Sequence, residues 1–154
     1  MSFAIAAALA LAVQSSSAAT GTPVASNLEY VAPIAGNWTY AATTDASSAT
    51  FSNEAGQQQL TIRCTRAVRQ VTLIKPAASA SPTMWIWTSS QTKNLPAVYD
   101  ASAAQMSVSF QAFDPFLDSI ASSRGRIGFS TSGLAALVVP PWAEVARVIE
   151  DCRV

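Results

Sequence analysis

Residues 105–111 read QMSVSFQ, in which Met106, Val108 and Phe110 alternate with Ser107, Ser109 and Gln111. A strict period of two places the apolar set on one face of an extended chain and the polar set on the other, the pattern of a strand with one buried side. Similar short segments recur along the chain: NWTYAAT at 37–43, SATFSN at 48–53, QQLTIRC at 58–64, RQVTLIK at 69–75, TMWIWTS at 83–89, RIGFST at 126–131 and LAALVVP at 134–140. Most are bounded by turn-forming residues. Such spacing predicts a mainly antiparallel β domain, an α+β sandwich or partly closed barrel.

Two segments switch to the helical period. In FDPFLDSIASSRG the residues Phe113, Phe116, Leu117 and Ile120 fall at i, i+3, i+4 and i+7, with Asp114 as N-cap, Pro115 at the first helical position and Gly125 as a stop. In PWAEVARVIEDCR the same spacing joins Val145, Val148, Ile149 and Cys152, after Pro141 at the start. Two short amphipathic helices are therefore expected against the sheet, the second at the C-terminus.

At the N-terminus, an apolar run from Phe3 to Val13 precedes small residues through Ala19. This predicts a signal peptide over 1–19, cleaved after Ala18 or Ala19, each with a serine two residues earlier. The basic residues that usually precede the apolar run are absent. Residues 20–35, rich in Gly, Pro, Ser and Ala, read as an exposed flexible arm, and 36–154 as a single β-rich domain. The expected destination is the periplasm or the medium, with no stable membrane span in the mature protein.

The chain has two cysteines, Cys64 and Cys152. Alternation in QQLTIRC points Cys64 inward with Leu60 and Ile62, and helical periodicity puts Cys152 on the buried face of the last helix. In an oxidising compartment the two form a coherent disulfide; in a reducing one they are two buried thiols.

Composition excludes more chemistry than it suggests. There is no histidine among the 154 residues, which removes the usual general base near neutral pH and the commonest metal ligand. Nine cations balance nine anions, so the chain as a whole carries no basic footprint for nucleic acid. No metal site and no cofactor are expected. Ser90 and Lys93 in SSQTKN have the serine-x-x-lysine spacing of certain acyl-enzymes, but they follow a strand and precede a proline, and the partner motifs are missing. SRGRIGFSTSG lacks the glycine spacing of a phosphate loop.

Two patches remain as candidate ligand or partner surfaces. Trp85 and Trp87 share one side of TMWIWTS, opposite Met84 and Ile86; both sides are covered, as the size of tryptophan favours, or the tryptophan side is a platform for a glycan, a peptide or a protein. Arg63, Arg66 and Arg69 in RCTRAVR cluster near a hairpin tip. The expectation is an exported, non-enzymatic accessory or binding module acting on a partner protein or a small apolar ligand. The alternatives are a histidine-free serine hydrolase using Ser90 and Lys93, and a domain that binds peptides by strand addition.

The combination of CTR after a strand, WIWTSSQTKNLPA, FDPFLDSIASSRGRI and VVPPWAEVARVIEDCRV, over residues 35–154, resembles a family of small uncharacterised exported proteins of alphaproteobacteria. The resemblance implies export and assigns no catalytic residue. An inward cysteine after an early strand and a second at the C-terminus is also similar, in arrangement alone, to envelope proteins of the invasion-associated locus B type.

Overall fold

The computed structural model describes Leu28 and residues 30–154. The expected signal peptide lies outside the described residues, as does the arm up to Asn27, and Glu29.

Among the described residues, ten strands and two α-helices follow in the order β1 (Gly36–Ala42), β2 (Ala46–Asn53), β3 (Gln58–Thr65), β4 (Gln70–Pro76), β5 (Thr83–Trp87), β6 (Thr92–Pro96), β7 (Val98–Asp100), β8 (Gln105–Gln111), α1 (Pro115–Ala121), β9 (Ile127–Ser130), β10 (Leu137–Val139) and α2 (Ala143–Asp151). The strands form a six-stranded sheet, β1-β2-β3-β4-β8-β7, and a four-stranded sheet, β10-β9-β5-β6, antiparallel at every pairing. The architecture is mainly antiparallel β, sandwich-like and not closed into a barrel, with the second helix at the C-terminus.

Alternation decides which side chains enter the core. Leu60, Ile62 and Cys64 of β3, Val71 and Leu73 of β4, and Met106, Val108 and Phe110 of β8 are all buried. Met84 and Ile86 of β5 with Ile127 and Phe129 of β9 are buried in the same core. The solvent side of the larger sheet is rich in hydroxyls: Thr50 and Thr61 pair across β2 and β3 at 3.2 Å, and Thr72 and Ser109 pair across β4 and β8 at 3.0 Å.

β6 and β7 lie in a stretch without strand expectation. β6 pairs with β5 in the smaller sheet and β7 with β8 in the larger one, so the chain changes sheets at Ala97. The Ala97 N–H donates to Pro82 O at 3.0 Å, which anchors the crossing. A strand that switches sheets in this way makes a corner of the sandwich. β5 ends at Trp87, two residues earlier than expected, because Thr88 turns the chain: its N–H and its hydroxyl both donate to Gln91 O.

Asp114 caps α1 by accepting from the Phe116 N–H at 2.8 Å, with Pro115 in the first turn. Phe116, Leu117 and Ile120 are buried; Phe113, expected beside them, is 64% exposed. The reason is the cap itself, since Phe113 precedes Asp114 and is no longer helical. α1 ends at Ala121 with Ser122 as its cap, ahead of Gly125. In α2 the residues Val145, Val148 and Ile149 are buried, with Cys152 at the C-cap, Trp142 at the N-cap and Ala143, rather than Pro141, at the first helical position. No described helix is long and apolar enough to cross a membrane.

Cys64 and Cys152 are joined in a disulfide with a Cα–Cα distance of 5.5 Å and a sequence separation of 88. It ties α2 to the inner face of β3, the geometry that the two periodicities together imply. Within the arm expected over 20–35, Leu28 is fully buried, whereas Tyr30, Val31 and Ile34 are exposed. Ile34 N–H donates to Val138 O at 2.9 Å, so this segment runs along β10.

Candidate ligand-binding site

Trp85 and Trp87 project from the outer face of β5, which lies between β9 and β6. Both are half-buried, whereas Met84 and Ile86 on the opposite face are fully buried. Trp87 pairs with Gly128 of β9 and Trp85 with Ser130. Leu28 lies directly on Gly128: a Cβ added there would come within 2.7 Å of Leu28 Cδ1. Only a residue without a side chain permits this approach. The chain's own N-terminal segment thus covers the Trp87 end of this face at Gly128 and leaves Trp87 itself half-buried.

At that end Trp87, Tyr30, Ser89, Arg124 and Arg126 line a cleft of about 380 Å³. Arg126 is positioned by its Nη1, which donates to Val31 O at 2.8 Å. The loop before β9 is pinned from both sides. Ser89 N–H donates to Ser123 Oγ at 3.0 Å, and Arg124 N–H donates to Ser89 Oγ at 2.8 Å. Ser123 Oγ in turn donates to Arg126 O at 2.6 Å. Tyr30 is 82% exposed and presents its ring to solvent. The result is a recess with two aromatic rings and two guanidinium groups, and no acidic side chain lines it among the described residues.

The other candidate residues are dispersed. Arg63 is exposed on β3 and lines a separate groove of about 360 Å³ with Ser48, Thr50 and Thr61. Arg66 donates through Nη1 to Thr43 O and Thr44 O, so it braces the β1–β2 turn. Arg69 holds a left-handed conformation, φ 46°, after a 3₁₀ turn at Arg66–Val68. The three arginines do sit around the β3–β4 connection, but they point to different tasks. Trp85, one pleat along from Trp87, does not line the cleft.

Ser90 and Lys93 are also kept apart. Ser90 Oγ lies 3.4 Å from Thr88 Oγ1, and Lys93 Nζ sits 4.7 Å from the centroid of the Phe116 ring. No hydrogen bond joins the two among the described residues. Asp118 and Glu150 both pair with Arg153, at 2.8 and 2.9 Å.

A polar cluster forms where β1 meets the end of α2. Tyr40 Oη donates to Asp151 Oδ2 at 2.6 Å, and the Arg147 guanidinium lies 3.9 Å over the Tyr40 ring. Burial alone would push the Asp151 carboxyl up. The Tyr40 hydroxyl, the nearby Ser47 hydroxyl and the charges of Arg66 and Arg147 outweigh that and hold it below the usual carboxylate value. The hydrogen bond to Asp151 pushes the Tyr40 phenol up, with burial and the carboxylate's charge adding to it, against the two arginines. Ser47 Oγ itself is buried and without a hydrogen bond of good geometry.

Comparison with known proteins leaves the site to be read from its own chemistry: no family model, no curated protein and no solved structure matches the chain.

Proposed function

We propose that this protein is an exported, non-enzymatic binding module of the bacterial cell envelope whose ligand, an anionic glycan, occupies the Trp87 cleft. The observation that carries the reading is the meeting of Trp87 and Tyr30 with Arg124 and Arg126 in one recess. Aromatic faces stack on the C–H face of a sugar ring, and guanidinium forks bind carboxylates or sulfates through charge-assisted hydrogen bonds. Open clefts of a few hundred Å³ with a small number of convergent polar groups are common ligand sites. The leader-like N-terminus, the resemblance to small exported proteins and the Cys64–Cys152 disulfide support an oxidising destination.

Calorimetric titration with a uronic-acid oligosaccharide, beside a neutral glucan of equal length, tests the ligand class. Binding of the acidic sugar alone, lost in Trp87→Ala and weakened at least tenfold in Arg124→Ala, is the expected result. Equal binding of the neutral glucan, or retention of affinity in both variants, overturns the reading. For export, the protein recovered from a periplasmic extract is expected to begin at Ala19 or Thr20.

A further inference from the structure

Lys75 stands at odds with its place in β4. Alternation puts it on the same face as Val71 and Leu73, which are fully buried in the core, at the end of the strand where the sandwich opens. It is half-buried, and its Nζ has one long contact, 3.4 Å to Pro76 O. Burial pushes the ammonium below its ordinary value, and no carboxylate offsets this among the described residues. An inward lysine without a counter-charge is costly for a fold that could place an apolar residue there.

The surroundings explain what the charge could serve. Lys75 lines a cleft of about 550 Å³ with Ile34, Ala77, Leu134 and Leu137, and alanines supply much of the remaining wall. The wall comes from the end of β4, Gln59 of β3, Ala104 of the β7–β8 turn, the segment that runs along β10, and the loop leading into β10. Its one cationic head lies at the edge of an otherwise mainly apolar recess, and its volume is that of a small-molecule site. A neutral apolar guest would leave the ammonium unpaired, and a cation would be repelled by it. A guest with one carboxylate at the end of an aliphatic chain satisfies both the charge and the wall.

We propose that this cleft binds an aliphatic monocarboxylate, with its carboxylate on Lys75 Nζ and its chain against Ile34, Ala77, Leu134 and Leu137. The site is separate from the Trp87 cleft and shares no lining residue with it. The loop over 131–136 includes Gly133 and no regular element, so one wall is formed by chain that can adjust to the length of the guest.

Titration of the intact protein with decanoate, decanol and decyltrimethylammonium tests the proposal without a variant. Decanoate is expected to bind at least tenfold more tightly than decanol, with no binding of the ammonium. Lys75→Met is expected to weaken decanoate at least tenfold and to leave decanol unchanged or tighter. Arg63→Ala, which removes a cation that lines neither cleft, leaves decanoate binding unchanged. Equal affinity for decanoate and decanol, or an effect of Arg63→Ala as large as that of Lys75→Met, overturns the proposal, as does failure of decanoate to bind at millimolar concentration.

Discussion

Tyr40 of β1 donates its hydroxyl to the carboxylate of Asp151 at the end of α2, across 111 residues of sequence, one position before the cysteine that carries the disulfide. The last helix is thus joined to the larger sheet twice, once to β1 by an uncharged phenol on an ionised acid and once covalently to β3.

The polar link has a defined pH window. Asp151 is held below its ordinary value, so its contribution is fully present above the unfolded carboxylate value of about 4 and is lost as pH falls through the folded value. Tyr40 is raised, so its contribution is present below the unfolded phenol value of about 10 and is lost as pH rises through the folded one. Tyr40→Phe is therefore expected to lower the melting midpoint modestly between pH 5 and 9. Thermal scans at pH 2 to 3 should show the difference from wild type shrinking. A difference that is constant across that range would rule out the hydrogen bond as its source.

The covalent link predicts more. Closing a loop of this length restricts the unfolded chain by roughly 4–5 kcal/mol on the chain-entropy model, and loss of a native disulfide from a small exported domain costs about 2–5 kcal/mol. The double substitution Cys64→Ser with Cys152→Ser is expected to lower the unfolding free energy by about 2–5 kcal/mol, read as a lower urea midpoint, with α2 loosened first. A thiol count on the denatured, unreduced protein should give none. Two reactive thiols in protein purified from its natural compartment would remove the disulfide from the stability argument.

Much of this core was legible because it depends on local periodicity. QQLTIRC and QMSVSFQ bury the residues that alternation selects, and Val145, Val148, Ile149 and Cys152 bury the face that a helical period selects. β6 and β7 were hidden because Thr92, Asn94 and Pro96 are exposed, Lys93 and Leu95 are only half-buried, and Pro96 interrupts the run. Phe113 was misplaced because the helical spacing continues backward through Asp114, where the cap ends the helix. The Trp87 cleft could be half read. Trp87 was visible, but Arg124 and Arg126 reach it only because β5 pairs with β9, and local pattern carries no register between strands forty residues apart. Leu28, a single leucine in a stretch of small residues, gave no sign that Gly128 had been left bare to receive it.

Ala104 offers a stabilising change. It holds φ 49° in the β7–β8 turn, a left-handed conformation that costs an L-residue roughly 1–2 kcal/mol. Glycine removes that cost and returns about 0.4–1 kcal/mol through the freedom of the unfolded chain. Ala104→Gly is expected to raise stability by about 0.5–1 kcal/mol, read as a higher urea midpoint at unchanged slope. The backbone bond from Ala77 N–H to Ala104 O is kept.

Gly128→Val tests whether the N-terminal segment is a removable cover on the tryptophan face. The new side chain would occupy the place of Leu28 Cδ1 and Cβ, which lie 2.7 and 3.2 Å from a modest Cβ alone. The segment through Ile34 should then lift from β10, with loss of the Ile34 to Val138 hydrogen bond and of the Arg126 contact to Val31 O. Hydrogen exchange is expected to show faster exchange of the Ile34 amide, while Val71 and Leu73 in β4 stay protected. Tryptophan fluorescence should move to longer wavelength as Trp87 gains solvent. Unchanged emission together with a protected Ile34 amide would show that Leu28 adapts in place and that the segment is held by other contacts.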